Sequence, residues 1–552
     1  MKKPYIQIVS SLEKVLPDSK SEMPNIETIT LLQNEAASFQ IVIACDDVNY
    51  NGDCYLNLEI NSPLKQNIRL YTVGLVPCLF PAGVNSDGDY ITKKPSLLPD
   101  LLQPWNETPI RLRSGFKQSL WAELFCEDGI QPGDYPIELV LKSRDNTVLC
   151  KQSVAAHVIS ATLPHMDMRH TEWFACDCLC DYYGCEMFSS AFFDIAQSYV
   201  RFAVQHGVNT LLTPLFTPSL DVEEGCSRKK AQLIGIKSDN GKYTFDFTLL
   251  HRWIDIFSSC GIESFEMAPF FTQWGSKFAV EIYAAQNGSE TESKLFGWDT
   301  IASSKSYAEF LSQFLPALID ALREFGVKEH VFFHISDEPS VDNISSYRTA
   351  YNMVAPYIDG CPIIDALSDY SFYKEGLVKT PVVAVDHIQP FINHSASPLW
   401  AYYCCCQGNK VPNRFIAMPS RRNRVLGVLL YLYHIDGFLQ WGYNYWYSQF
   451  SKELIDPYRV TDAGLGFPSG DPFLVYPGAH GEPVASIRIK IFREALQDMR
   501  ALYLLEQLST RQNVCELIQS ICGKITFKRY PRNNAVLNEL HDTVNLKIEK
   551  LL

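Results

Sequence analysis

Two adjacent acids, Asp337 and Glu338, stand in the stretch His334-Ile335-Ser336-Asp337-Glu338-Pro339-Ser340. The apolar run Val331 to Phe333 before them reads as a buried strand, and Pro339 stops it. The acids therefore fall where a strand runs out. Neighbouring carboxylates repel, so their pKa values are pushed apart. One protonated and one ionised acid at neutral pH is the state that general acid chemistry requires. A structural role competes with this one: Ser336 and Asp337 would cap a following helix that carries Pro339 in its first turn.

The rest of the chain weighs these roles. Its 552 residues suit two or three domains. A composition of 47% hydrophobic and 20% charged residues is that of a globular protein. A net charge of -14 opposes binding to nucleic acid or to an anionic membrane surface. Aromatic residues reach 12%, which fits a large core or rings that stack on sugars. No stretch approaches the ~20 apolar residues of a membrane span. The start, MKKPYIQIVSSLEKVLPD, lacks the continuous apolar segment of a signal peptide. The expectation is a cytoplasmic protein, or a secreted one if a signal was removed.

The 17 cysteines, an odd count without a secretion signal, read as reduced thiols. Cys176, Cys178 and Cys180 alternate along a predicted strand, with Cys185 just beyond, and Cys404, Cys405 and Cys406 are consecutive. Neither cluster has C-x-x-C spacing, so both are expected to fill tight packing. No metal and no cofactor is expected.

Residues 4 to about 157 are strand after strand, including YIQIVS, SFQIVIACD and YPIELVLKS. Turns such as Asn51-Gly52-Asp53 and Pro132-Gly133-Asp134 separate them. This predicts an antiparallel β-sandwich over residues 1–160. From Thr171 the grammar changes. Eight short apolar strands begin near Thr171, Val208, Glu263, His330, Pro362, Pro381, Leu399 and Gly437, with helical patterns between most of them. One helix carries Phe192, Ile195, Tyr199 and Phe202 and stops at Gly207. Another carries Tyr307, Phe310, Phe314, Leu318 and Leu322 and bends at Pro316. Eight βα units predict a (β/α)8 TIM barrel over residues 168–508. An open doubly wound sheet would want a Gly-rich phosphate turn after its first strand, and there is none. Residues 509–552 read as a helical extension packed on the barrel. The fold class is thus α/β plus all-β.

In such a barrel the functional residues lie at the C-terminal strand ends. Those ends carry Glu172, Trp173 and Asp177, then Gln273 and Trp274, then Asp337-Glu338, then Asp386-His387, then Tyr402 and Tyr403, and finally Trp441 to Trp446. Carboxylates ringed by Trp, Tyr and Asn favour a carbohydrate pocket. Phosphate chemistry is not indicated, because no Gly-rich cradle or basic cluster lies there.

The chain also resembles glycoside hydrolase family 123 and its wider relatives, whose characterised members are β-N-acetylgalactosaminidases. The likeness covers Asn34 to Gln40, Asp337-Glu338-Pro339, Trp400 to Cys404, Gly437 to Trp446, Asp471 to Gly478 and Ser486-Ile487-Arg488. The resemblance implies hydrolysis of a terminal β-linked N-acetylgalactosamine, on a glycolipid or an oligosaccharide, with the substrate's 2-acetamido carbonyl as nucleophile. Such enzymes depart from the two-carboxylate retaining scheme. Carried over, Glu338 is general acid and then base, and Asp337 orients the acetamido N–H. A tyrosine of the seventh strand, Tyr403 rather than Tyr402, would hold the acetamido oxygen. Trp441 would wall the acetamido pocket, Asn444 or Tyr443 would reach hydroxyls, and Trp274 would border the leaving group. His334 would tune the doublet by hydrogen bonding or serve as a core histidine.

Two other readings stay open on sequence. One is a retaining glycosidase with an enzyme nucleophile, Asp386 or Glu172, for a sugar of other type. The other is a non-catalytic sugar-binding protein, for which the paired acids would have no use. The sequence carries no sign of oligomeric state.

Overall fold

The computed structural model describes residues 3–19, 23–45 and 55–552. The expected turn at Asn51-Gly52-Asp53 lies outside them. Among the described residues the protein is a mixed α/β molecule with four sheets.

Two sheets come mainly from the N-terminal strands. A seven-stranded sheet begins with Tyr5–Ser10, Ala36–Ala44, Lys117–Phe125, Ile68–Cys78 and Ser96–Pro104. A five-stranded sheet holds Thr28–Gln33, Val148–Thr162, Gly133–Lys142, Tyr55–Asn61 and Ile110–Arg111. Alternate residues of both, such as Ile8, Phe39, Ile41, Leu31, Ile137 and Val158, meet in one buried core. That is the two-sided burial a period of two dictates.

Two features differ from a purely antiparallel N-terminal unit. Val148–Thr162 pairs in parallel with Thr28–Gln33. The seven-stranded sheet is also completed from far down the chain, by Pro483–Ser486 beside Ser96–Pro104 and by Val475–Pro477 at its edge.

The third sheet is an eight-stranded parallel barrel. Its strands in chain order are Arg169–Glu172, Thr210–Thr213, Ser264–Met267, Val331–Phe333, Ile364–Leu367, Thr380–Ala384, Trp400–Tyr402 and Gly437–Gln440. The first pairs with the eighth. The ring is nearly closed between the fourth and fifth, where Phe333 and Ile363 form a single bridge. Gly437 has a steric reason: a Cβ there would lie 2.0 Å from the Trp400 ring, which fills the interior. Helices follow the strands, from Ser190–Gln205 after the first to Ile487–Leu508 after the eighth. Ser189 caps the former by accepting from Phe192 N, and Ser486 caps the latter by accepting from Ile489 N. Lys305–Glu324 runs through Pro316 as one helix. The helices after the fifth and sixth strands are short, Ser371–Lys374 and Gln389–Asn393.

The predicted cysteine strand is instead a helix, Cys176–Tyr183. Cys176 to Cys180 are all buried, so a period-two pattern carried no information about the backbone there. Gly184, at φ 65°, ends the helix in the left-handed conformation. Insertions after the second and third barrel strands pair into a fourth sheet that the sequence did not announce, from Gly235–Asp239, Lys242–Asp246, Ile282–Gln286 and Glu292–Phe296.

The C-terminal residues form helices Arg511–Cys522 and Asn534–Leu551. The second packs on the last barrel helix and also on the N-terminal strands Thr28–Gln33 and Val148–Thr162. Buried Asn545 donates to Thr30 Oγ1 at 3.3 Å, and Thr30 donates to Asp542 at 2.9 Å. The extension therefore bridges the N-terminal sheets and the barrel instead of lying on the barrel alone.

Candidate active site

The barrel's C-terminal end opens into a cleft lined by Trp173, Asp177, Asp221, Arg228, Gln273, Trp274, Asp337, Glu338, Tyr402, Trp441, Tyr445 and apolar neighbours. Adjacent residues on a strand point to opposite faces. Asp337 and Glu338 nevertheless both line the cleft, because Glu338 turns back at φ 46°. A non-glycine residue in that region is uncommon and is held there by its surroundings.

Neither acid caps a helix. Ser336 Oγ donates to the Thr272 carbonyl at 2.9 Å, and Asp337 Oδ2 accepts from Gln273 Nε2 at 2.8 Å. The following helix, Ile344–Val354, has Asn343 before it and no side-chain cap. Glu338 Oε1 accepts from the Tyr402 hydroxyl at 2.9 Å.

Burial, then the charge of Glu338, pushes Asp337 up to about 8. Burial also raises Glu338, against the Tyr402 and Trp274 donors that favour its ionised form. The pair behaves as one unit that retains a shared proton near neutral pH.

Beneath the doublet lies a buried polar row. His334 bonds Asp365 through Nδ1 at 2.9 Å and Glu266 through Nε2. Trp173 Nε1 and Thr171 Oγ1 donate to the same Glu266 at 2.7 and 2.6 Å. Burial would lower His334, but the two carboxylates prevail and hold it up at about 10. His334 thus ties the third, fourth and fifth strands together. It neither lines the cleft nor bonds the doublet, and it acts on Asp337 through its charge.

The remaining expected site residues divide. Trp274 lines the cleft at φ 57°, is 45% exposed, and donates its backbone N–H to the Asp337 carbonyl at 3.2 Å. Trp441 also lines it, anchored by Nε1 to Asp471 at 2.9 Å. Burial pushes Asp471 up to about 7, against that indole donor.

Tyr403 points out of the barrel, where its hydroxyl donates to Asn423 at 3.3 Å. The cleft-facing tyrosine is Tyr402, in phase with Trp400. Tyr443 is buried and donates to the Tyr199 carbonyl at 2.8 Å. Asn444 is spent on the Ala175 backbone, accepting its N–H at 2.8 Å and donating to its carbonyl at 3.0 Å. Tyr403, Tyr443 and Asn444 therefore serve packing, and Tyr402 and Tyr445 replace them on the wall.

The carboxylates weighed as enzyme nucleophiles are engaged elsewhere. Glu172 is buried in a fork–fork pair with Arg414, at 2.6 and 2.9 Å. Asp386 bonds His387 at 2.8 Å and Gln407 at 3.1 Å, away from the cleft lining. Asp177, on the wall, takes both arms of Arg228 at 2.7 Å. Asp221 accepts from the Tyr445 hydroxyl at 2.5 Å and from Phe450 N at 2.9 Å. Arg228 also lies 5.6 Å from the Tyr445 ring centroid. Sequence reasoning missed Arg228 and Asp221, which come from an insertion without periodicity. Gln273 stood at a strand end, yet nothing distinguished it from its neighbours.

The family described as glycoside hydrolase 123, catalytic domain, matches residues 173–505, more than half of the chain. The chain belongs to glycoside hydrolase family 123. It is a glycosidase, and the doublet lies within the matched segment. The fold agrees with that of a family 123 glycoside hydrolase from Clostridium perfringens, solved in a study of glycolipid glycan hydrolysis. The likeness covers 100% of this chain and 97% of that one, at 14% identity and a TM-score of 0.74. A β-glucuronidase from Parabacteroides merdae aligns over 91% of this chain and 52% of its own, at 9% identity and a TM-score of only 0.27. A comparison with curated proteins gives no match.

Proposed function

We propose that this family 123 glycosidase releases terminal β-linked N-acetylgalactosamine with retention, using the substrate's 2-acetamido group as nucleophile. The observation that carries this is the doublet: two consecutive carboxylates face one cleft, while Glu172 is locked in a buried pair with Arg414, Asp177 in one with Arg228, and Asp386 lies away from the cleft lining. A retaining enzyme with its own nucleophile needs a free carboxylate about 5–5.5 Å across the sugar from the acid. Substrate assistance removes that need.

Sharing one proton also fits the division of labour. An acetamido N–H donated to Asp337 favours its ionised form, so the shared proton passes to Glu338. Glu338 then protonates the leaving oxygen. Asp337 holds the acetamido group as its carbonyl attacks the anomeric carbon and stabilises the charged ring that forms. Ionised Glu338 next takes a proton from the water that opens this intermediate. Tyr402 fixes the Glu338 carboxyl, and Trp441 walls the sugar site.

The same reading makes residues 168–508 a (β/α)8 catalytic barrel, with the N-terminal β-sandwich as its platform and residues 509–552 as a brace. A glycolipid or an oligosaccharide is the source of the sugar, in keeping with the Clostridium enzyme's studied substrates. The test is hydrolysis of chromogenic β-GalNAc and β-GlcNAc substrates, with the released anomer followed by NMR. Retention and inhibition by the GalNAc thiazoline are expected. Inversion of the anomeric centre rules the mechanism out.

A further inference from the structure

Three consecutive cysteines follow Tyr402, and the first two line the cleft. The seventh barrel strand ends at Tyr402, and the chain then makes a tight turn in which Gln407 N donates to the Cys404 carbonyl at 3.2 Å. In a continued strand, consecutive side chains would diverge. The turn instead gathers the three sulfurs to within 4.8 Å of one another. Cys405 Sγ lies 4.0 Å from Cys404 Sγ and 3.7 Å from Cys406 Sγ. Zinc-to-thiolate bonds of about 2.3 Å in a tetrahedron put sulfurs about 3.8 Å apart. Two of the three spacings thus match edges of a tetrahedral thiolate site, and the third sulfur pair lies within 4.8 Å.

The turn is held from behind. Asn413 Nδ2 donates to the carbonyls of Cys404 and Gln407 at 2.8 and 3.0 Å. Gln407 Oε1 accepts from Cys404 N at 2.9 Å, and Gln407 Nε2 donates to Asp386. Such outer partners pre-set the ligands of metal sites. Access is also graded: Cys404 is buried, Cys405 half-buried and Cys406 exposed, while Cys404 and Cys405 line the cleft.

We propose that Cys404, Cys405 and Cys406 bind a thiophilic divalent cation of the zinc class, and that its binding suppresses hydrolysis. Soft thiolate ligands select such ions. Each ligating thiol gives up its S–H proton to solvent as its metal–sulfur bond forms. The fourth position remains for water or a ligand from the cleft. The route to inhibition is short. Cys404 follows Tyr402 by two residues on the same inward face, and Tyr402 holds the Glu338 carboxyl. Drawing the sulfurs onto an ion shifts that strand end. Misplacing a reacting group by about 1 Å costs on the order of 100-fold in rate. The inhibitory half rests on the proposed role of Glu338; the binding half does not.

The test is a titration of the reduced full chain with Cd²⁺ as spectroscopic probe and a thiol-free reductant. The expected result is one Cd²⁺ per chain, a thiolate-to-cadmium absorption band, proton release, competition by Zn²⁺, and a loss of rate that follows the band and reverses with a chelator. Cys406→Ser, an exposed position, should weaken binding at least about 10-fold. Cys226→Ser, an exposed thiol elsewhere, should leave the band intact. No band at one equivalent, or unchanged affinity in Cys406→Ser, overturns the site. Full occupancy with an undiminished rate overturns the inhibition. If no tested sugar is hydrolysed, the band and the released protons still decide the metal site.

Discussion

The Tyr402 hydroxyl donates a 2.9 Å hydrogen bond to Glu338 Oε1, joining the end of the seventh barrel strand to the end of the fourth. It favours the ionised carboxylate, against the burial that raises Glu338. Tyr402→Phe removes the donor, so Glu338 moves further up and the alkaline limb of the pH profile shifts to higher pH. A hydrogen bond to a charged group is worth about 1.5–3 kcal/mol, so kcat/KM should fall about 10- to 100-fold. Tyr403→Phe removes a hydroxyl that bonds Asn423 outside the cleft and should leave both the rate and the limb unchanged. Parallel pH–rate profiles of the two variants check this.

Glu338→Gln should lower kcat/KM on the natural linkage by about 10²–10⁴-fold, the usual contribution of a positioned acid–base group. An activated aryl leaving group needs less protonation and should narrow the loss. Asp337→Asn should cost about 10²–10³-fold with either leaving group, because its proposed role is to hold and stabilise the reacting acetamido group. Steady-state kinetics on the two substrate types separates the roles. A variant retaining wild-type turnover refutes its assignment.

Asp337 also sets a pH dependence of stability. Its folded pKa of about 8 lies above the unfolded value of 3.8, so the folded state binds the extra proton. The stabilisation that goes with this is fully present below pH 3.8 and is lost as pH rises to about 8. Asp337→Asn should therefore raise stability by roughly 1–3 kcal/mol at pH 8 and change little at pH 4. Thermal melts at the two pH values test the sign, and a gain at pH 4 that vanishes at pH 8 contradicts it.

Asp100 lies in the N-terminal sheet, yet it should matter to the cleft. It is buried and accepts from Arg488 Nε and Nη2 at 2.9 and 3.0 Å and from the Tyr476 hydroxyl at 2.6 Å. Asp100→Ala should cost about 3–5 kcal/mol, because it leaves a guanidinium buried without its counter-charge. Urea denaturation measures the loss. Asp100→Asn keeps the volume and should lose less.

The strands were legible wherever burial was two-sided and the run was short. Val331 to Phe333, Pro381 to Ala384 and Gly437 to Gln440 fall where their apolar runs lie. The doublet was legible because the apolar run Val331 to Phe333 marked the strand just before it, although that strand ends at Phe333 and not at Pro339. The tyrosine choice was not. Tyr402-Tyr403-Cys404-Cys405-Cys406 has no polar alternation, so only the burial of Trp400 inside the barrel sets the phase. Cys176–Tyr183 failed for a related reason, since Cys176 to Cys180 are buried without interruption and so show no period. Arg228, Asp221 and the fourth sheet arise from insertions placed by long-range pairing, which a local pattern does not encode.

The strands Val475–Pro477 and Pro483–Ser486 have a consequence for how this enzyme can be divided. They leave the barrel, extend the N-terminal sheet, and return as the last barrel helix. Arg488, at that helix's start, binds Asp100 and donates to the carbonyls of Gly470 and Phe473. Those residues flank Asp471, the anchor of Trp441. The N-terminal sheets are therefore not a cassette that evolution or an engineer can exchange while keeping the barrel intact. A graft that swaps them must carry these two strands and the arginine's counter-charge along, or the tryptophan wall of the cleft loses its foundation.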